Sequence, residues 1–229
     1  MFGLRIAESQ LSSISDSENQ MSTKWVILDM MGVIFEVSDD VNDLLVPYIQ
    51  KRNNLITAEK INEMYTEASL GRILSSGFWN ELGFDSEYPE IERNYLDTCF
   101  RIDPEFTDVA EKLAKDYSLT ILSNDVIEWS DYLRTKFDLN GLFKCIIVSG
   151  EVRYRKPNKK IYEILLDRIQ SSPSDCIFVD DRFKNLIPAS EMGIRTIRFA
   201  REQTRQRSFA DNEIGSFTEL PKAIEMLFK

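Results

Sequence analysis

Trp25-Val26-Ile27-Leu28-Asp29-Met30-Met31-Gly32-Val33-Ile34 is an apolar run that breaks at a carboxylate. Far downstream, Cys176-Ile177-Phe178-Val179-Asp180-Asp181 repeats the design and ends in a vicinal pair of carboxylates. Short, continuously apolar runs of this kind read as buried parallel strands. In an open α/β sheet the ends of such strands line the ligand crevice. Asp29, Asp180 and Asp181 are therefore expected at one sheet edge. Three carboxylates gathered there repel one another and are tolerated most easily with a divalent cation among them. The expectation is a Mg²⁺ site beside an aspartate nucleophile.

Working outward, further strands are expected over 118–123, 144–148 and 194–199, beside those over 24–29 and 176–180. Between them lie helical patterns over 105–116, 126–137, 159–169 and 183–192, the last stopped by Gly193, and a final one over 218–228. Such alternation predicts an α/β fold with a doubly wound parallel, Rossmann-like sheet. Residues 37–104 break the alternation and read as four short helices, an all-helical cap inserted after the first strand. That position sets it over the carboxylate edge, where a lid belongs. The predicted division is a core domain over 24–36 and 105–229, a cap over 37–104, and a disordered, Ser-rich extension over 1–23. Met21 is a possible natural start.

The 229 residues, 43% of them apolar, suffice for one α/β domain with an insertion. A net charge of −10 gives no basic face for nucleic acid or a membrane surface. Histidine is absent, which excludes a Ser-His-Asp triad, a Cys-His pair, phosphohistidine and His-bound zinc. Cys99, Cys145 and Cys176 are odd in number and lack metal-binding or redox spacing, which points to a reducing, cytoplasmic setting. No apolar stretch approaches the length of a membrane span. A small-molecule substrate and a monomer or homodimer are the expected partners and state.

Four pieces line up in chain order. Asp29 ends the first strand. Leu122-Ser123-Asn124 ends the second, and Arg155-Lys156-Pro157 precedes a helix. Asp180-Asp181 ends a later strand, with Asn185 one helical turn on. Each has an ordinary reading by itself, as a helix cap, an N-cap sequence or a turn. Together they resemble the haloacid dehalogenase-like (HAD) hydrolase superfamily, in its branch with a small helical cap, over roughly residues 24–200. The resemblance implies a hydrolase with Asp29, Ser123 and Lys156 in catalysis. It implies phosphate contacts from Ser123, Asn124 and Lys156, and Mg²⁺ held by Asp29, Asp180, Asp181 and the backbone carbonyl of Met31. The chemistry agrees: a strand-end carboxylate can attack phosphorus, and a lysine can neutralise the transferring group. Asn185 is expected to orient a metal-bound water or Asp181. Arg153, Arg155, Lys159 and Lys160 read as a solvated face, from which Arg155 can assist Lys156. Phe78, Trp79 and Tyr95 read as the cap's own small core.

One departure matters. Phosphatases that this chain resembles usually carry a second aspartate two residues after the nucleophile, to protonate the leaving oxygen and then activate water. Here that residue is Met31. Losing a general acid–base group commonly costs ~10²–10⁴-fold in rate. Three readings stay open. One is a Mg²⁺-dependent phosphatase acting on a small phosphorylated metabolite, slowed or assisted by another acid such as Asp125 or a cap carboxylate. The others are a catalytically weak phosphate-binding or regulatory protein, and a metal-free 2-haloacid dehalogenase.

Overall fold

The computed structural model describes residues 23–201 and 209–229; the expectations for 1–22 lie outside them. Six parallel strands form one sheet in the order β3-β2-β1-β4-β5-β6. They are β1 (Trp25–Leu28), β2 (Ser118–Ser123), β3 (Cys145–Val148), β4 (Cys176–Asp180), β5 (Arg195–Phe199) and β6 (Asn212–Ile214). The first five follow the apolar runs. The sixth is a correction: no strand was expected there, because Asn212-Glu213-Ile214 is too short and polar to show a period. It is held by pairing to β5, with Phe199 opposite Ile214.

Residue alternation explains why the strands read as continuously apolar. Val26 and Leu28 of β1, with Ile177 and Val179 of β4, face one apolar layer. Ile27, Cys176 and Phe178 face the other. Both faces are thus buried, as a doubly wound sheet requires. The first layer is closed by α5 (Phe106–Leu113), α6 (Ile127–Lys136) and α10 (Leu220–Leu227). The second is closed by α8 (Lys159–Ile169) and α9 (Phe183–Glu191). A short helix, α7 (Ser149–Val152), follows β3.

Between β1 and α5 the chain forms α1 (Val46–Gln50), which continues a π-helical turn over Val41–Leu45, then α2 (Ala58–Ser69), α3 (Ser75–Glu81) and α4 (Glu90–Cys99). Thr57 caps α2 by accepting a hydrogen bond from the Lys60 N–H at 3.2 Å. Phe78, Trp79 and Tyr95 are fully buried. Their rings meet Trp129 of α6 at centroid separations of 5.3, 6.1 and 5.5 Å. Glu92 accepts from both indole N–H groups, Trp79 at 2.8 Å and Trp129 at 2.7 Å. These aromatics are packing, as expected, but not a small core of their own: they join the apolar layer of the sheet and fasten α3 and α4 onto α6.

Candidate active site

The strand order reverses direction at β1, between its neighbours β2 and β4. That is the switch point where α/β sheets bind ligands. In register, Leu28 lies opposite Val179, and the Asp29 N–H continues the ladder by donating to the Val179 carbonyl at 3.0 Å. Asp29 and Asp180 are therefore neighbours by construction. One carboxylate oxygen each from Asp29, Asp180 and Asp181 lie within 4.8 Å of one another. Gly32, with φ of +81°, makes room for the third: a Cβ there would stand 2.5 Å from the Asp181 carboxyl carbon.

Lys156 enters from the loop before α8 and is almost fully buried. Its Nζ donates to Asp29 Oδ1 and Asp180 Oδ2, both at 2.8 Å. Asp29 Oδ1 also accepts from the Met30 N–H at 2.8 Å. Burial alone pulls the Lys156 pKa down, but Asp180 and Asp29 together carry it above the usual lysine range. Burial pushes Asp29 well up, and Lys156 opposes that only in part, because Asp180 and Asp181 add repulsion. Burial, then Asp180, raises Asp181 to about 6. Three carboxylates face the Lys156 ammonium and, 3.9 Å from Asp181 Oδ2, the Arg182 guanidinium, which still leaves an excess of negative charge. Asp181 Oδ1 is buried without a hydrogen-bond partner among the described residues. An all-oxygen, charge-rich set of this kind fits Mg²⁺.

The remaining expected residues are placed as follows. Ser123 lines the cavity, and its buried Oγ has no hydrogen-bond partner among the described residues. The Asn124 side chain is taken up by the main chain of Lys156: Nδ2 donates to its carbonyl at 2.8 Å and Oδ1 accepts from its N–H at 2.7 Å. It thus fixes the lysine loop, and one of the two Nδ2 donors is left for the cavity that Asn124 lines. Asn185 needs correction. It donates to Asp180, at 3.1 and 3.0 Å to the two oxygens, and not to Asp181, because one turn of α9 brings it back over the end of β4. Met31 is buried and lines the cavity with a side chain that can move no proton. Asp125 is buried beside the cavity without lining it, and its Oδ1 accepts from the Val126 N–H at 2.7 Å.

Other wall residues come from loops and from the helical segment between β1 and α5. The cavity, about 270 Å³, is completed by Ser38, Asp39, Asp40, Tyr65, Thr66, Arg155, Arg182 and Lys184. Arg155 is half-buried, donates to Ser69 Oγ and lies 5.3 Å from the Tyr65 ring centre, so it is no solvated residue. The Ser38 hydroxyl donates to Asp181 Oδ2, and Arg182 reaches the Ser38 carbonyl. Arg182 directly follows the Asp180-Asp181 pair, which was the available signal for it. Ser38, Asp40 and Tyr65 carried none.

Comparison with known proteins gives the family and the fold. The haloacid dehalogenase-like hydrolase family model matches residues 23–193. The sesquiterpene phosphatase astK of Aspergillus oryzae is 28% identical over 177 residues, 75% of this chain and 87% of that protein. The drimenol cyclase drtB of Aspergillus calidoustus is 28% identical over 175 residues, 66% of this chain, but the match spans only 33% of that longer protein. Among solved structures, a HAD phosphatase of Thermococcus onnurineus superposes with a TM-score of 0.68 at 22% identity, covering 88% of this chain and 98% of that one. A HAD family enzyme of Bacteroides thetaiotaomicron, in complex with magnesium and inorganic phosphate, gives 0.67 at 17% identity, covering 80% and 98%. A 2-haloacid dehalogenase of Pseudomonas syringae gives 0.65 at 16% identity, covering 89% and 99%. At these identities the structures speak for the fold.

Proposed function

The chain belongs to the haloacid dehalogenase-like hydrolase family, and on that footing we propose that it is a Mg²⁺-dependent phosphatase for a small, polar phosphate monoester. The carrying observation is the cluster of Asp29, Asp180 and Asp181 around the Lys156 ammonium. A dehalogenase attacking carbon has no need of so many carboxylates.

Asp29 is the nucleophile in this reading. Its Oδ1 is held by Lys156 and the Met30 N–H, which leaves Oδ2 to attack phosphorus. The phosphoryl group moves to Asp29 as an aspartyl-phosphate, and water then returns the carboxylate. Lys156 and the Ser123 hydroxyl receive the phosphoryl oxygens. Asp29, Asp180, Asp181 and the Met31 carbonyl are the proposed Mg²⁺ ligands. Bound there, the ion would screen the approach of the two anions and stabilise charge on the transferring group. Asn185 and the Arg182 N–H, 2.8 Å from Asp180 Oδ1, fix Asp180 for that task.

The walls support a polar substrate. Ser38, Asp39, Thr66, Arg155 and Arg182 line the cavity, whereas Phe78, Trp79 and Tyr95 are spent in packing. The free Cys99, Cys145 and Cys176 support a reducing, cytoplasmic setting. Met31 alone favours the second reading, a weakly catalytic phosphate-binding protein.

A panel of phosphorylated metabolites assayed with and without Mg²⁺ separates the two. Turnover is expected with Mg²⁺ and lost on chelation, and calorimetry is expected to show weaker Mg²⁺ binding in Asp181→Asn. Phosphate binding without turnover across the panel would favour the second reading. Unchanged Mg²⁺ affinity in Asp181→Asn would remove the metal site.

A further inference from the structure

With Met31 two residues beyond Asp29, the proposed reaction lacks its expected proton carrier. We propose that Asp40, in the segment that follows β1, is the acid–base group of this phosphoryl transfer, working from the wall of the same cavity. The proposal rests on the phosphatase reading above.

Three carboxylates outside the metal cluster are candidates, and their surroundings separate them. Asp125 does not line the cavity. Asp39 lines it, but both of its oxygens are engaged by Asn42, the N–H at 3.3 Å and the side-chain amide at 2.9 Å. Asp40 lines the same cavity as Asp29, Ser123 and Lys156 and is only 6% exposed. Its Oδ2 lies 3.4 Å from the Tyr65 hydroxyl, which lies 3.1 Å from the Asn124 carbonyl. That hydroxyl has one proton for two acceptors. It serves the nearer carbonyl best, and a protonated Asp40 completes the chain by donating to the Tyr65 oxygen. Tyr65 thereby ties Asp40 to the residue that follows Ser123.

The charges around Asp40 come from several elements. Arg182 precedes α9, Arg155 precedes α8, and Asp39 is its chain neighbour; Tyr65 of α2, Tyr95 of α4 and Asp125 are the buried groups around it. Burial is the largest influence and raises the Asp40 pKa to about 6, with Arg182 and then Arg155 opposing it and Asp39 reinforcing it. A group titrating there can give a proton and take one back near neutral pH.

The steps balance. As Asp29 Oδ2 bonds to phosphorus, the bond from phosphorus to the leaving oxygen breaks, and the Asp40 proton passes to that oxygen to release an alcohol. The Asp40 carboxylate then takes a proton from water as the water oxygen bonds to phosphorus. The Asp29–phosphorus bond breaks, inorganic phosphate leaves, and both carboxyl groups regain their starting states.

The test compares an alkyl phosphate (glycerol phosphate), whose leaving oxygen needs the proton, with an aryl phosphate (para-nitrophenyl phosphate), whose leaving oxygen does not. Both are assayed with Mg²⁺ on wild type and Asp40→Asn. kcat/KM for the alkyl ester is expected to fall at least ~10²-fold in the variant, and that for the aryl ester by less than ~10-fold. The acid must be protonated, so wild-type kcat/KM on the alkyl ester declines as pH rises through about 6. Asp40→Asn loses that decline and keeps the titration of the substrate itself. Carbon NMR of the aspartate carboxyls is expected to show a resonance titrating near 6 that is missing in Asp40→Asn. If Asp40→Asn does not fold, Asp40→Glu carries the test: it moves the pH limb of kcat/KM on the alkyl ester, while kcat/KM on the aryl ester, which ends before the step that needs the base, changes by less than ~10-fold. Equal losses on both esters, or an unmoved limb, would overturn the role of Asp40 while leaving the phosphatase reading standing. A wild type inert toward both esters would overturn the two together.

Discussion

On the sheet-edge wall of the cavity, Lys156 holds two carboxylates at 2.8 Å each. Asp180 takes further bonds from Asn185 and the Arg182 N–H. On the wall supplied by the segment after β1, Asp40 meets a hydroxyl at 3.4 Å, and Ser38 of the same segment reaches Asp181. The first wall is a network in which every member fixes another, built on strands that cannot shift without breaking the sheet. The second is assembled from hydrogen bonds among residues of a loop and a helix, none of them a buried ion pair. A cross-linked wall holds chemistry common to many substrates, and a loosely tied wall can exchange its groups. On this account the missing carboxylate at position 31 of the first wall is made good from the second.

Lys156→Met strikes the cross-linked wall and has the largest expected effect. Turnover should fall at least ~10²-fold, as when one electrostatic stabiliser is removed. The change also leaves Asp29 and Asp180 buried without their ammonium, so stability at neutral pH should fall by about 3–5 kcal/mol. Chemical denaturation with and without Mg²⁺ checks this, and the ion should recover part of the loss. Retained stability in the metal-free variant would mean that the acids do not depend on Lys156.

A smaller change sharpens the comparison by moving the acid from one wall to the other. Met31→Asp places a carboxylate on the sheet-edge side. In an Asp40→Asn background it should raise alkyl phosphate turnover by ~10-fold or more, below the effect of an ideally placed group. In the wild type the gain should be smaller, because Asp40 already supplies the proton. Steady-state kinetics of the four proteins give the coupling. Equal gains in both backgrounds would make the two walls independent.

The difference between the walls also explains what could be read from sequence. Asp29 and Asp180 were legible because a strand end in a parallel sheet fixes where its last side chain stands, and Lys156 only through the family resemblance, since Lys-Pro alone reads as a turn. Asn185 was placed by its helical turn, but of the two carboxylates offered by the vicinal pair it bonds to Asp180, which the spacing alone does not distinguish from Asp181. Arg155 looked like part of a basic surface run, and only packing against Tyr65 shows otherwise. Asp40 and Tyr65 lie in the helical segment between β1 and α5, and Tyr65 meets the Asn124 carbonyl at 3.1 Å, a long-range contact that leaves no period or motif. The same holds for β6, whose three residues are a strand because β5 offers them an edge.

The central claim is that Asp29 carries the phosphoryl group. Wild type mixed with a turned-over phosphate ester and Mg²⁺, quenched in acid within a single turnover and mapped by peptide mass spectrometry, tests it most directly. The account predicts a phosphoryl group on the peptide that contains Asp29, absent from Asp29→Asn, together with loss of turnover in that variant. Full turnover in Asp29→Asn would contradict it.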